Sequence, residues 1–129
     1  MSMSIARAAN RYKAVQVQTS SPGNILIMLY DGMFKFIEEA HAATLADDRA
    51  RAGERIGRAH AILVELAATL DKSQSPELCE NLESIYVFCM GQLVQANLHR
   101  DAQRLNDVIR VLTPVRDAFK QAVLNQGNS

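Results

Sequence analysis

Apolar residues recur at helical spacing along most of this chain, and the first long stretch to show it follows Ser21-Pro22. A serine hydroxyl there can accept an orphan backbone N–H, and proline at the first helical position gives up no hydrogen bond. A helix is therefore predicted from Pro22 to about Leu45. At about 100° per residue, Ile25, Leu29, Met33, Phe36 and Ala40 share one face, the expected core stripe. Ile27, Tyr30 and Phe34 form a second apolar stripe on nearly the opposite side, set among Asp31, Lys35 and Glu38. A helix with two apolar faces needs two partners.

Three more helices follow. The second, roughly residues 48–71 with Asp47 or Asp48 as cap, stacks Ala52, Ile56, Ala59, Leu63, Leu66 and Leu70 in the alternation that suits antiparallel packing. Ser75-Pro76 repeats the cap-plus-proline start. The third helix is expected to bury Leu78, Leu82, Ile85, Cys89, Leu93 and Ala96 and to end near Leu98. Val87, Met90, Gly91, Val94 and Leu98 gather roughly opposite that stripe, and a mid-helix glycine lets another backbone approach closely. Asp101 caps the fourth helix, which buries Leu105, Val108, Ile109, Leu112, Phe119 and Val123; Pro114 inside it predicts a kink near Val111. Short turns between long helices imply an all-α, antiparallel up-down four-helix bundle over residues 21–125, with a disordered tail at 126–129. Ahead of it, residues 1–20 form an arm or short cap helix, with Ile5, Ala8, Tyr12 and Val15 at helical spacing but too few residues to be stable alone.

Composition agrees with this reading. At 129 residues the chain is long enough for one self-supporting core, and 48% hydrophobic residues with few aromatics favour helices over strands. Fourteen basic and fourteen acidic side chains cancel, so no overall field draws the chain to nucleic acid or to an anionic membrane. Arg7, Arg11 and Lys13 make the arm weakly basic. Cys79 and Cys89 sit too far apart on one helix for a disulfide and are expected as buried thiols. Neither a secretory signal nor a run long enough to span a bilayer is read in the sequence, so a cytosolic protein is expected.

The chemistry that helical bundles can host is missing. Glu38-Glu39-Ala40-His41 supplies one Glu-x-x-His, but di-iron sites need two such motifs and two more inward glutamates. Neither His60 nor His99 has a glutamate three positions before it. A phosphate-relay histidine is normally followed by a basic residue and a glycine, whereas Ala61, Ile62, Leu63 and Val64 follow His60. No phosphate loop, Ser/His/Asp set or Cys-x-x-Cys appears, so no enzyme activity, metal or cofactor is expected. What remains is surface. Two readings of the surplus apolar faces stand: the chain's own arm covers Ile27, Tyr30 and Phe34 while Val87 to Leu98 are ordinary exposed apolar area, or the faces line a groove that receives an amphipathic segment of a partner.

Several segments together resemble the flagellin-specific export chaperones, the FliS family of bacterial flagellar secretion. They are Arg11-Tyr12, Val17 with Ser21-Pro22, Ile27-Met28-Leu29-Tyr30-Asp31-Gly32, Leu93-Val94-Gln95-Ala96-Asn97-Leu98 with Asp101-Ala102, and Arg116-Asp117-Ala118-Phe119-Lys120. The resemblance spans about residues 5–124 and departs from the family at Pro114 and at Phe119, where tryptophan is frequent. It implies a bundle with a small cap helix that binds the disordered C-terminal segment of flagellin, prevents premature polymerisation and delivers it to the export gate. Candidate partner-binding residues are then Ile27, Tyr30, Asp31 and Phe34 on the first helix, and Val87, Met90, Gly91, Val94, Asn97 and Leu98 on the third. Tyr12 is a candidate contact to the export gate. The arm is expected to cover the groove until the client displaces it, and the free protein to be a monomer or weak homodimer. A chaperone for another secreted helical protein, or a self-associating structural bundle, would carry the same faces.

Overall fold

A computed structural model describes residues 22–127. The arm with Tyr12 and the Ser21 cap therefore lie outside the described residues. Four helices follow one another: α1 (Pro22–Leu45), α2 (Arg49–Ala68), α3 (Pro76–His99) and α4 (Ala102–Gly127). α1 packs on α2 and α4, and α3 packs on the same two, while the diagonal pairs do not approach each other at the backbone. This is the expected up-down bundle. α4 runs on through Gly127, two residues beyond the expected boundary, and Pro114 lies inside it on the exposed side.

The connections at one end are built alike. Asp47, with φ 58°, closes α1; its N–H reaches the Thr44 carbonyl at 3.1 Å, and the Asp48 N–H reaches that of Ala43 at 2.8 Å. The Asp48 carboxylate then accepts the Arg51 N–H at 3.2 Å and caps α2. Arg100, with φ 52°, closes α3, the Asp101 N–H bonds the Ala96 carbonyl at 3.0 Å, and the Asp101 carboxylate takes the Gln103 N–H at 3.1 Å. Each turn thus spends a non-glycine residue on a left-handed position, at about 1 kcal/mol. At the opposite end Asp71 accepts both the N–H and the hydroxyl of Ser73, which hold its carboxyl below the ordinary range. Ser75 precedes Pro76 as expected, but its hydroxyl caps nothing; only its carbonyl is used, by the Cys79 N–H at 2.9 Å.

The core corrects the reading of α1. Its buried residues are Ile25, Leu29, Tyr30, Met33, Phe34, Ile37, Ala40 and Ala43, an arc of about 180°. A corner helix has two neighbours at nearly right angles, so both of its apolar flanks are used by the bundle itself. Tyr30 and Phe34 are the flank that meets α4, and Phe36, half-buried, is the flank that meets α2. On α3 the buried set is Cys79, Leu82, Tyr86, Cys89, Leu93 and Ala96; Tyr86 takes the central place expected for Ile85, and Leu78, in the first turn, is 56% exposed. On α4 only Leu105, Val108 and Leu112 are fully buried, with Ile109, Phe119 and Val123 half-buried. Leu70, past the end of α2, packs against the core half-buried. Cys79 and Cys89 are free buried thiols.

In the middle of the bundle the Tyr30 and Tyr86 hydroxyls meet at 2.5 Å, joining α1 to α3 across the diagonal. Burial raises both phenols above their ordinary range, most strongly Tyr30, where the charge and hydrogen bond of the Tyr86 hydroxyl add to the shift. Burial also pushes the Cys89 thiol up to about 12. Two outcomes are expected. Tyr30→Phe leaves the Tyr86 hydroxyl buried without a partner and costs about 1–2 kcal/mol in urea melts, and adding Tyr86→Phe costs less than a second such loss, because both buried hydroxyls are then gone. Strictly additive losses would refute that pairing. All three acids hold their protons more tightly folded than unfolded, so their stabilisation is complete below the unfolded values and falls as pH rises. Unfolding free energy should decline from about pH 8.5, where unfolded cysteine ionises, and more steeply past about pH 10, by up to about 1.4 kcal/mol per pH unit for each group. Cys89→Ala should remove the earliest part of the decline; an unchanged profile would rule out that assignment.

Candidate partner-binding groove

α2 and α3 run antiparallel and leave a furrow between them. α2 brings small residues to it: Gly53 and Gly57 a turn apart, then His60 and Val64 along the same face. α3 brings Val87, Gly91, Val94 and Leu98, each one turn further on. Val87 is 58% exposed, Val94 51% and Leu98 69%, whereas their neighbours Tyr86 and Leu93 are buried. The surplus face read on α3 is therefore open surface.

A cavity of about 340 Å³ lies in the furrow, lined by Gly53, Ile56, Gly57 and His60 of α2 and by Val94, Asn97 and Leu98 of α3. A second, of about 290 Å³, continues past Asn97 and Leu98 to the end of the bundle, where Thr44, Asp47, Asp48, Arg49, Ala52, Ala96 and Arg100 complete its walls. A Cβ built on Gly57 or Gly91 would meet nothing within 4 Å, so no element of the bundle uses the close approach these glycines allow. Glycine inside a helix costs about 1 kcal/mol relative to alanine. Gly53 is different, since the Asn97 side chain stands over it at 3.5 Å from that position.

The candidate residues of α1 go elsewhere. Tyr30 and Phe34 are 0% and 6% exposed, inside the seam between α1 and α4. Tyr30 meets Phe119 at a tilt of 44° with ring centroids 5.8 Å apart and meets Phe34 edge-on at 6.3 Å. Asp31 is exposed and pairs with Arg116 at 3.2 Å, and the Arg116 guanidinium lies 5.1 Å over the Phe34 ring. Ile27 is half-buried. The two motifs Tyr30-Asp31 and Arg116 to Phe119 thus form a clasp that seals this seam. The structure brings Val87, Gly91, Val94, Asn97 and Leu98 to one open face of α3, apart from the α1 set, while Met90 is half-buried against the core.

Two features escaped the sequence reading. Gly53, Gly57 and His60 of α2 line the groove, with exposed Val64 one turn further along the same face; their spacing of four, three and four residues was the available signal. Phe88, 49% exposed, is a further open apolar side chain of α3. Among the described residues no three histidines, cysteines or carboxylates converge as a metal site, and His41 instead meets the Asn106 amide at 3.2 Å. No helix among them is long and apolar enough to cross a membrane.

A helical bundle with one closed and one open seam can hold a partner segment along the open one. Comparison with known proteins agrees. The family model described as flagellar protein FliS matches residues 5–126. The flagellar secretion chaperone FliS of Bacillus subtilis is 36% identical over 96% of this chain and 92% of its own length. Its namesakes in Salmonella typhimurium and Vibrio cholerae are 32% and 31% identical, over 81% and 82% of this chain and 78% of their own lengths. The relatives are named as chaperones and not as enzymes, and on a match that runs nearly end to end the chain belongs to the FliS family of flagellar secretion chaperones.

Proposed function

We propose that this protein is a cytosolic export chaperone that binds the disordered C-terminal segment of flagellin, keeps it from polymerising and delivers it to the flagellar export gate. The observation that carries this reading is the open apolar face of α3. Val87, Val94 and Leu98 stand in water beside the glycine floor of α2, along two joined cavities. A disordered segment that folds into an amphipathic helix gains by burying such a face, at about 25 cal/mol per Å² less the cost of ordering. Met90, Gly91 and Asn97 belong to the same contact surface. Ile27 and Asp31 border the sealed seam and play at most an edge role, while Tyr30 and Phe34 act through the fold. Tyr12 is assigned to the export gate, and the arm to a cover that the client displaces.

Titration calorimetry with a flagellin C-terminal peptide is expected to give saturable binding near one to one with a negative heat-capacity change. Val94→Asp should weaken it at least about tenfold, or roughly 1.4 kcal/mol, with the helical circular dichroism unchanged, because it sets a charge against an apolar client without touching the core. Full affinity in Val94→Asp would take the α2–α3 groove out of the client site, and no binding of a soluble peptide to the wild-type chain would remove flagellin as the client. Deleting residues 1–18 should leave affinity unchanged or raised; a large loss would make the arm part of the site.

A further inference from the structure

The groove ends in hydrogen-bonding groups that the bundle leaves unused. Asn97 lines both cavities, and its side-chain amide has no hydrogen-bond partner among the described residues. Arg100, three positions on, lines the terminal cavity, and its guanidinium has neither an ion pair nor a hydrogen bond among them. The other charges at this end are committed. Asp48 holds the Arg51 N–H, Asp47 pairs with Arg49 at 3.8 Å, and Asp101 takes the Gln103 N–H and pairs with Arg104 at 3.2 Å. The backbone here asks for glycine, since Arg100 sits at φ 52°; a long cation occupies the position instead.

We propose that this cavity reads the free α-carboxylate at the end of the client chain, with the Arg100 guanidinium and the Asn97 amide N–H as donors. The inference rests on the client reading above and sets the direction in which the client lies: apolar residues along Val87, Val94 and Leu98, then the chain terminus at Arg100. Unpaired donors at the end of an apolar furrow complement an apolar segment that ends in an anion. A side-chain carboxylate would supply the same charge, but the cavity is walled by Thr44 and the α1–α2 turn, so a chain running along the furrow is met there by protein. A terminus needs no exit.

The test uses the full chain and the flagellin C-terminal peptide in three forms: free acid, C-terminal amide, and the acid extended by a short Gly-Ser tail. The free acid is expected to bind roughly threefold to tenfold more tightly than the other two, the range of a charge-assisted contact at a partly exposed site. Raising the salt should narrow that gap by screening. Arg100→Gln should bind acid and amide alike, with an unchanged urea midpoint. Equal binding of the three forms by the wild-type chain, with Val94→Asp weakening them all, would overturn the carboxylate reading and leave the groove in place. Binding of none of them would overturn both. The comparison of acid with amide is made on the wild-type chain, so it stands whether or not the Arg100 variant folds.

Discussion

The buried contact between the Tyr30 and Tyr86 hydroxyls constrains the rest of the bundle. Diagonal helices do not touch at the backbone, so nothing in their main chains sets α1 in register with α3. The two phenols do so, because a buried hydroxyl without a partner costs more than a hydroxyl pair contributes, and a shift of either helix by one turn would strand both. Once Tyr30 points to the centre, its ring requires an aromatic lid on the α4 side, which Phe119 and Phe34 supply. Arg116 then closes that lid from outside, over Phe34 and onto Asp31. The ion pair itself contributes little at a surface; the guanidinium plane covering the ring matters more.

This constraint explains why one seam is sealed and the other open. The α1–α4 seam carries bulky rings that fill the space between the helices. Where α2 faces α3 it carries Gly53 and Gly57, which leave space that only Asn97 enters from within the bundle. Glycines at exposed helix positions weaken a helix, and exposed valine and leucine beside them add nothing to the packing of the four helices. Among the described residues no contact offsets that loss along α2 and α3. A bound segment can offset it, and this physical asymmetry, more than the size of either cavity, marks the groove.

The helices and their ends were legible because they follow local chemistry: the Asp48 cap, proline at the first helical position and the short turns all act within a few residues. The width of a buried arc was not. A wheel drawn for one helix finds a stripe, but whether a second stripe is core or groove depends on how many neighbours the helix has. For α1 the answer is two, which turned Tyr30 and Phe34 from expected contacts into core. For α3 the same rule leaves Val87, Val94 and Leu98 exposed, since they lie beyond the arc that α2 and α4 cover. Leu78 and Ile85 were misplaced for related reasons. The first lies in a terminal turn that overhangs the core, and the second lost the centre to Tyr86, whose hydroxyl has its partner 56 residues away in sequence. The α2 side of the groove was missed because small residues leave no apolar stripe to notice.

Core and open surface are thereby divided between adjacent residues of the same helix. Along α3, Tyr86 and Leu93 hold the core while Val87 and Val94, one position later, face the groove. One step along a helix turns a side chain by about 100°, enough to move it from the interior to water while its Cα stays fixed by the core residue beside it. A groove built this way is as rigid as the bundle beneath it. It can be pre-formed before a partner arrives, so that the ordering cost of binding falls mainly on a disordered partner. That division also accounts for the clasp between Tyr30-Asp31 and Arg116 to Phe119. A motif that closes one seam holds α1 and α4 together behind α2 and α3.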